Sequence, residues 1–321
     1  MRCLFSIALV FFFSVSIATA GADETVPSLI ADGRVDEAIA SLHGQISASP
    51  NDAQAHNLLC RAYFSLGDWD RGISDCEKAV ALAPGNSQFH LWLGRIYGEK
   101  ADGSSFVTAA GLARRVRSEF ETAVRLNPRN IDARSDLAEF YLEAPGLVGG
   151  GRDKAEAQAS SLATIDPISA HNVKARIAEK RKDFSSAERE LRAAINASHG
   201  SASTWLNLGL FFKHRQQFDE MEKALQHVRS APLDRPDALV DAAEILIHTQ
   251  RNLPEATQLL RAYLVLNAKV EQAPAFKVHF LLGAANEELG RKKDAASEYR
   301  TALSMAKEFR PAQQALQRVS Q

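Results

Sequence analysis

Four prolines divide the first half of this chain at intervals that few architectures can satisfy. Pro50, Pro84, Pro128 and Pro167 each follow an amphipathic run of helical period and sit in a turn, in the contexts SP-ND, AP-GN, NP-RN and DP-IS. The first interval is 34 residues; the next two, 44 and 39, read as the same unit with 10 and 5 residues inserted. A 34-residue period belongs to a helix–turn–helix repeat, whose units cannot bury their apolar faces alone and must stack. The expected class is therefore all-α, and the functional question moves from a single active site to surfaces.

Residues 1–20 read as a secretion leader outside this fold. Arg2 gives a positive start, Leu4 to Ile17 is apolar and rich in phenylalanine, and Ala18-Thr19-Ala20 ends the run with small residues. That pattern suits a cleaved signal. The run is shorter than the roughly 20 apolar residues of a spanning helix, which sets the uncleaved anchor second. No cysteine directly follows the apolar run, and Cys3 lies too early for a lipid anchor. The expected location is thus outside the cytoplasm: periplasmic in a Gram-negative bacterium, otherwise secreted. No later segment is long and apolar enough to span a membrane, so a soluble mature chain without an integral membrane segment is expected.

Removing Arg2 changes the formal net charge from −1 to −2, a balance that offers nucleic acid or anionic lipid no general attraction. Two cysteines remain, Cys60 and Cys76, both within one unit. In an exported protein they could oxidise. Alternatively, each fills a helix-packing site as a small hydrophobe. Spacing leaves both readings open.

Residues 53–86 give the clearest unit. His56, Leu59, Cys60 and Tyr63 share one face of its first helix, Gly67-Asp68 breaks it, and Gly72, Cys76, Ala79 and Val80 form the stripe of its second. Helices approach closely only where facing side chains are small, so Cys60, Gly72 and Ala79 mark the crossing.

These residues resemble the tetratricopeptide repeat. His90, Leu93-Gly94, Tyr97, Phe120, Ala123 and Pro128 match its pattern, as do Trp205, Leu208-Gly209 and Phe212. Leu282-Gly283, Gly290, Ala295, Tyr299 and Ala302 match at the end, and Gly33, Ala38, Leu42 and Pro50 at the start. Units near 22–52, 53–86, 87–130, 131–168, 170–200, 202–234, 236–268 and 275–309 follow, with residues 311–320 as a capping helix. Later units depart from the pattern. Closing prolines give way to His199, Leu233 and Lys307, Lys182-Asp183 replaces a turn glycine, and Met221 and Tyr263 occupy small-residue sites. The resemblance implies a right-handed superhelical α-solenoid of about eight repeats, a curved rod whose first helices line a concave groove.

On that frame, Asn57, Arg61, Leu91, Arg95, Asp132, Asp136 and Glu139 are expected in the groove, a basic step before an acidic one. Asp237, Asp241 and Glu244 repeat the acidic arrangement. Such a surface suits an extended peptide or partner helix of opposite charge. The insertions at 98–113 and 144–151 fall between the helices of adjacent units, about 10 Å apart at helix-packing spacing. The first is expected to form a loop leading into a lengthened helix. Phe106, Val107, Leu112, Leu147 and Val148 are expected to pack together there as a small lobe.

Catalytic signatures are absent. No metal-ligand spacing or nucleophile elbow occurs, and Gly149-Gly150-Gly151 lacks the Gly-Lys-Ser/Thr of a phosphate loop. His56, His90 and His279 recur where the repeat wants bulk. The expectation is a non-catalytic scaffold for a protein or peptide partner, without cofactor or metal, with a role in envelope assembly or secretion. An accessory subunit or divergent hydrolase using the insertion lobe as a pocket is the alternative.

Overall fold

The computed structural model describes residues 25–320, which form seventeen α-helices, one 3₁₀ turn and no strand. The expected leader lies outside the described residues. Eight antiparallel hairpins follow one another. The first four are α1 (Val26–Ala31) with α2 (Val35–Ala48), α3 (Ala53–Leu66) with α4 (Trp69–Leu82), α5 (Ser87–Asp102) with α6 (Phe106–Leu126), and α7 (Ile131–Glu143) with α8 (Arg152–Leu162). Next come α9 (Pro167–Lys180) with α10 (Phe184–Ala197) and α11 (Ala202–His214) with α12 (Phe218–Val228). The last two are α13 (Ala238–His248) with α14 (Leu253–Leu264) and α15 (Ala275–Glu288) with α16 (Lys292–Met305); α17 (Arg310–Val319) ends the stack.

Six of the hairpins turn by one device. A backbone N–H after the turn reaches the carbonyl five residues back: Arg34 to Leu29, Asp68 to Tyr63, Asp183 to Ala178, Gln217 to Phe212, Arg251 to Leu246 and Arg291 to Asn286, all at 2.8–3.0 Å. The residue just before each donor must be left-handed, as this helix-ending motif requires. Gly33, Gly67 and Gly290 fill that place at three turns, and Lys182, Gln216 and Gln250 at the others.

Within a hairpin, the close crossing also recurs. The Gly94 backbone lies under the Phe120 ring, Gly209 under Leu225 and Gly283 under Tyr299; an added Cβ would meet these side chains at 2.4, 2.6 and 2.3 Å. In the second hairpin the same register carries Cys60 and Cys76, both fully buried, with Cα atoms 5.3 Å apart and the sulfurs bonded. The disulfide thus stands where other units place glycine against a large side chain.

Polar ladders lock successive helices. His56, His90, His171 and His279 each turn Nδ1 toward a carboxylate on their own second helix, Asp75, Glu119, Glu190 and Glu298, at 2.8, 2.5, 2.7 and 2.7 Å. The histidines therefore do more than supply bulk. Between units, Tyr63 meets His43, Tyr97 donates to Glu77 and Tyr141 donates to Glu121, each across 20 residues.

The insertion at 98–113 is not the expected loop. It lengthens α5 to Asp102 and begins α6 at Phe106, leaving only residues 103–105 as the turn. Nor do the insertions form a lobe. Phe106, Val107 and Leu147 are 78%, 81% and 65% exposed, whereas Val148 is buried and Leu112 packs on the core of the second to fifth units. Helix direction explains the separation, because Phe106 and Val107 start α6 at a projecting tip, while Val148 turns inward from the 3₁₀ segment Gly146–Val148.

The rod is also closed. Val26, Leu29, Ile30, Val35 and Leu42 from the first hairpin share one apolar cluster with Phe276, Ala302, Ala306 and Phe309 from the last elements. Gly33 sits so near α15 that a Cβ there would lie 2.8 Å from the Phe276 nitrogen. Asp32 accepts from Lys269 at 3.2 Å, Asp36 from the Lys307 N–H at 3.2 Å, and Glu271 from Arg61 Nε at 3.0 Å. Burying each large apolar side chain is worth roughly 1.5–3 kcal/mol, against at most about 1 kcal/mol for an exposed ion pair. Apolar packing therefore joins the ends, and the ion pairs set their register.

Candidate interaction cavity

Closing the rod leaves an open cavity of about 730 Å³ on its inner side. One wall comes from helices of consecutive units: Arg61 and Phe64 on α3, Trp92, Arg95, Glu99 and Asp102 on α5, Phe120 on α6, and Asp132, Asp136, Glu139 and Phe140 on α7. The facing wall is not a run of first helices. It is built from the two long connections of the stack, residues 229–237 and 265–274, plus Lys277 of α15. The remaining connections between units span four residues each.

Both long connections are anchored. Asp234 accepts from the Ser203 N–H at 3.1 Å, and Arg235 pairs with Asp241. In the second connection, the Tyr263 hydroxyl donates to the Ala273 carbonyl at 2.7 Å and accepts from the Val270 N–H at 3.0 Å. Glu271 then reaches across the cavity mouth to Arg61.

Trp92 occupies the middle of the helical wall. The guanidinium carbons of Arg61 and Arg95 lie 5.1 and 5.2 Å from its ring, and Phe64 meets it edge-on at 5.5 Å. Each arginine is neutralised, Arg61 by Glu271 and Arg95 by Asp136 at 2.6 Å. Cation–π contact and ion pairing together hold both guanidinium groups in place.

The lining carries nine carboxylates and four cations. Burial raises the Asp136 carboxyl above its ordinary range, a push that Arg95 only partly offsets. Burial likewise raises Glu99, with repulsion from Asp102 adding to it. Just beyond the cavity, burial pushes Asp241 up to about 6 against the pull of Arg235. The direction is the same throughout: low water access disfavours charge in a site already crowded with carboxylates.

Of the residues expected in the groove, Arg61, Arg95, Asp132, Asp136 and Glu139 line this cavity together, and Asp237 joins them from the far wall. Leu91 does not; it is fully buried. Asn57, one repeat earlier at the same register, is only 1% exposed and borders a smaller notch of about 300 Å³. That register faces the neighbouring first helix, since α3 and α5 pack directly on each other. Glu244 lies outside the lining.

Sequence reasoning missed Trp92, Glu99, Asp102, Glu271 and Lys277. Two signals pointed to them. The gaps at 229–237 and 265–274 exceed the other unit-to-unit connections, and Glu99 and Asp102 continue the Arg95 face by helical spacing once the insertion is read as helix.

Models of the tetratricopeptide repeat match residues 29–74 and, separately, residues 276–309. Among solved structures, yeast Tom70 aligns with 98% of this chain and 66% of its own, at 15% identity and a TM-score of 0.55. The chain thus spans just under two thirds of that relative's length. A tetratricopeptide repeat protein from Parabacteroides merdae aligns over 92% of this chain and 99% of its own, at 13% identity and a TM-score of 0.45. A thermophilic repeat protein from Thermus thermophilus covers 62% of this chain and 95% of its own, at 19% identity and a TM-score of 0.47. A search of curated protein sequences finds no match. An identity as low as that to yeast Tom70 speaks to the fold alone, and the hairpins and their turns agree with the two matched segments: residues 29–74 and 276–309 are tetratricopeptide repeats within an all-α stack of the same architecture.

Proposed function

We propose that this protein is a non-catalytic scaffold that holds a short basic segment of a partner protein inside its closed curve. The observation that carries this reading is the charge of the cavity lining, nine carboxylates against four cations beside the aromatic rings of Phe64, Trp92, Phe120 and Phe140. Three of the four cations are already paired within the protein. An incoming lysine or arginine therefore meets unpaired Glu99 and Asp102, while its stem lies on apolar surface. Size favours an extended chain. An α-helix about 10–12 Å across would fill the space in roughly one and a half turns, whereas an extended chain at about 3.3 Å per residue threads several side chains past the carboxylates.

Export is part of the proposal. The Cys60–Cys76 bond suits an oxidising compartment, in keeping with the leader expected over residues 1–20. A role in envelope assembly or secretion would follow from that location. The alternative of a pocket between the insertions loses its support, because Phe106, Val107 and Leu147 point outward.

Fluorescence anisotropy with labelled pentapeptides tests the reading. A Lys/Arg-rich peptide should bind, its acidic counterpart should not, and Glu99→Lys/Asp102→Lys should weaken binding at least about tenfold. Equal affinity for both peptides would remove the proposal.

A further inference from the structure

Of the two long connections in the far wall, the second makes its ion pairs with the opposite end of the array. Lys269 Nζ donates to Asp32, just after α1, at 3.2 Å. Glu271 takes Arg61 of α3 in a two-pronged pair, with Nε to Oε2 at 3.0 Å. These partners stand 237 and 210 residues earlier in the chain. The connection otherwise ties to its own ends. The Leu266 N–H donates to the Tyr263 carbonyl at 3.0 Å and the Ala273 N–H to the Val270 carbonyl at 3.1 Å, while the Tyr263 hydroxyl bridges Val270 and Ala273. No side chain from residue 264 to residue 272 is fully buried, and Val265 is 80% exposed.

This segment is separate from the apolar seam. The cluster that joins the ends draws on Phe276, Ala302, Ala306 and Phe309 but on no residue of 264–275. Tyr263 and Ala273 belong instead to the core of the later units, with Leu266 packed against it. The segment can therefore move without parting the ends. It also divides the inner space. Arg61, Trp92, Arg95, Asp132, Glu271 and Gln272 border both the cavity of about 730 Å³ and the notch of about 300 Å³. Four of these lie on the helical wall, and Glu271 and Gln272 come from the connection. A segment with few buried apolar contacts opens at a lower free energy than the core around it, and such an opening withdraws these two residues from the divide.

We propose that residues 265–274 form a releasable strap, clasped to the first two hairpins by Lys269–Asp32 and Arg61–Glu271, whose release joins the cavity and the notch into one continuous channel. The two arms differ in strength. Arg61 and Glu271 are mostly buried, so neutralising one leaves the other as an uncompensated charge. The Lys269 arm ends on the half-exposed Asp32 and yields first. The strap then pivots on Tyr263 and Ala273, which stay in the core. Access to the channel is set by the clasp, whatever the charge of the segment that enters.

Hydrogen–deuterium exchange of the full chain, read by mass spectrometry, tests the strap. Lys269→Met/Glu271→Gln should speed exchange over residues 265–274 at least about tenfold, while residues 26–48 and 292–319 at the seam keep their protection. Lys269→Met alone, which touches only the more exposed arm, should give a smaller increase confined to the same segment. Arg61→Glu should free the strap by repulsion, and adding Glu271→Arg should restore part of its protection. Acrylamide quenching of Trp92, in a Trp69→Phe/Trp205→Phe background, should rise with release, because Trp92 borders both spaces. Exchange over 265–274 that stays at the unaltered rate in both Lys269 variants, or that quickens together with the seam in both, overturns the strap. Faster exchange without a rise in quenching overturns the joined channel.

Discussion

The second and third hairpins, α3 to α6, and the later ones, α9 to α14, reach one geometry by different means. In the first region each requirement of the repeat is met by the residue best suited to it. Gly67 takes the left-handed turn, Gly94 admits Phe120, and prolines mark the connections. In the later region Lys182, Gln216 and Gln250 hold the same left-handed turn with side chains that resist it. Met221 and Tyr263 are fully buried at sites where the pattern wants small residues. The turn hydrogen bond of the second hairpin, 3.0 Å, nevertheless agrees with those of the later region, each 2.9 Å. Continuous packing between neighbours therefore preserves the hairpin after its local signals have gone, at a cost stored in the turns.

The contrast can be broken most strongly at the disulfide. Opening Cys60–Cys76 by Cys76→Ala should lower stability by about 3 kcal/mol, the value expected for a loop near 16 residues. The urea midpoint read by circular dichroism checks this, and a midpoint equal to that of the oxidised protein would mean that packing alone holds the second hairpin. Next in size is the glycine crossing. Gly94→Ala should cost about 1–3 kcal/mol, because the Phe120 ring must move bodily. Gly209→Ala should cost less, since its Cβ would press chiefly on the flexible Cδ2 end of Leu225, at 2.6 Å, with Cγ at 3.0 Å. Equal costs in thermal melts would contradict the distinction between ring and flexible tip.

The turns provide a smaller and opposite effect. Lys182→Gly, Gln216→Gly and Gln250→Gly should each stabilise by about 0.5–1 kcal/mol, and Gly67→Ala should destabilise by about 1 kcal/mol. Melts of the four variants would show a single sign if the turns of the two regions were equivalent.

The smallest expected effect depends on pH. A hydrogen bond to Glu119 holds the His90 imidazolium, raising its pKa in the folded chain above the ordinary value, while burial opposes it. The stabilisation is complete below the unfolded pKa, about 6.5, and is lost as pH rises through the higher folded value. Denaturant midpoints should fall across that interval in the unaltered protein. His90→Gln should flatten that portion of the curve; an unchanged slope would assign the ion pair no weight.

Much of the stack was legible in the residues themselves. Apolar stripes at helical spacing, turn glycines and the proline period all arise from short-range constraints, and so does the register that sets Arg61 and Arg95 on one face. Leu91 and Asn57 were misplaced because their burial depends on how closely α3 approaches α5, a distance between units rather than a property of either helix. The Cys60–Cys76 pair was open for a similar reason, since only the crossing of α3 over α4 brings the two Cα atoms to 5.3 Å.

By itself the sequence determined an all-helical repeat array, its turns, and the charges along its first helices, because each follows from contacts within about one repeat. Tertiary structure alone decided that the array closes. Small rotations between successive hairpins accumulate until α1 and α2 reach α15 and α16, and no local pattern encodes that sum. The cavity and its wall of long connections both depend on that closure.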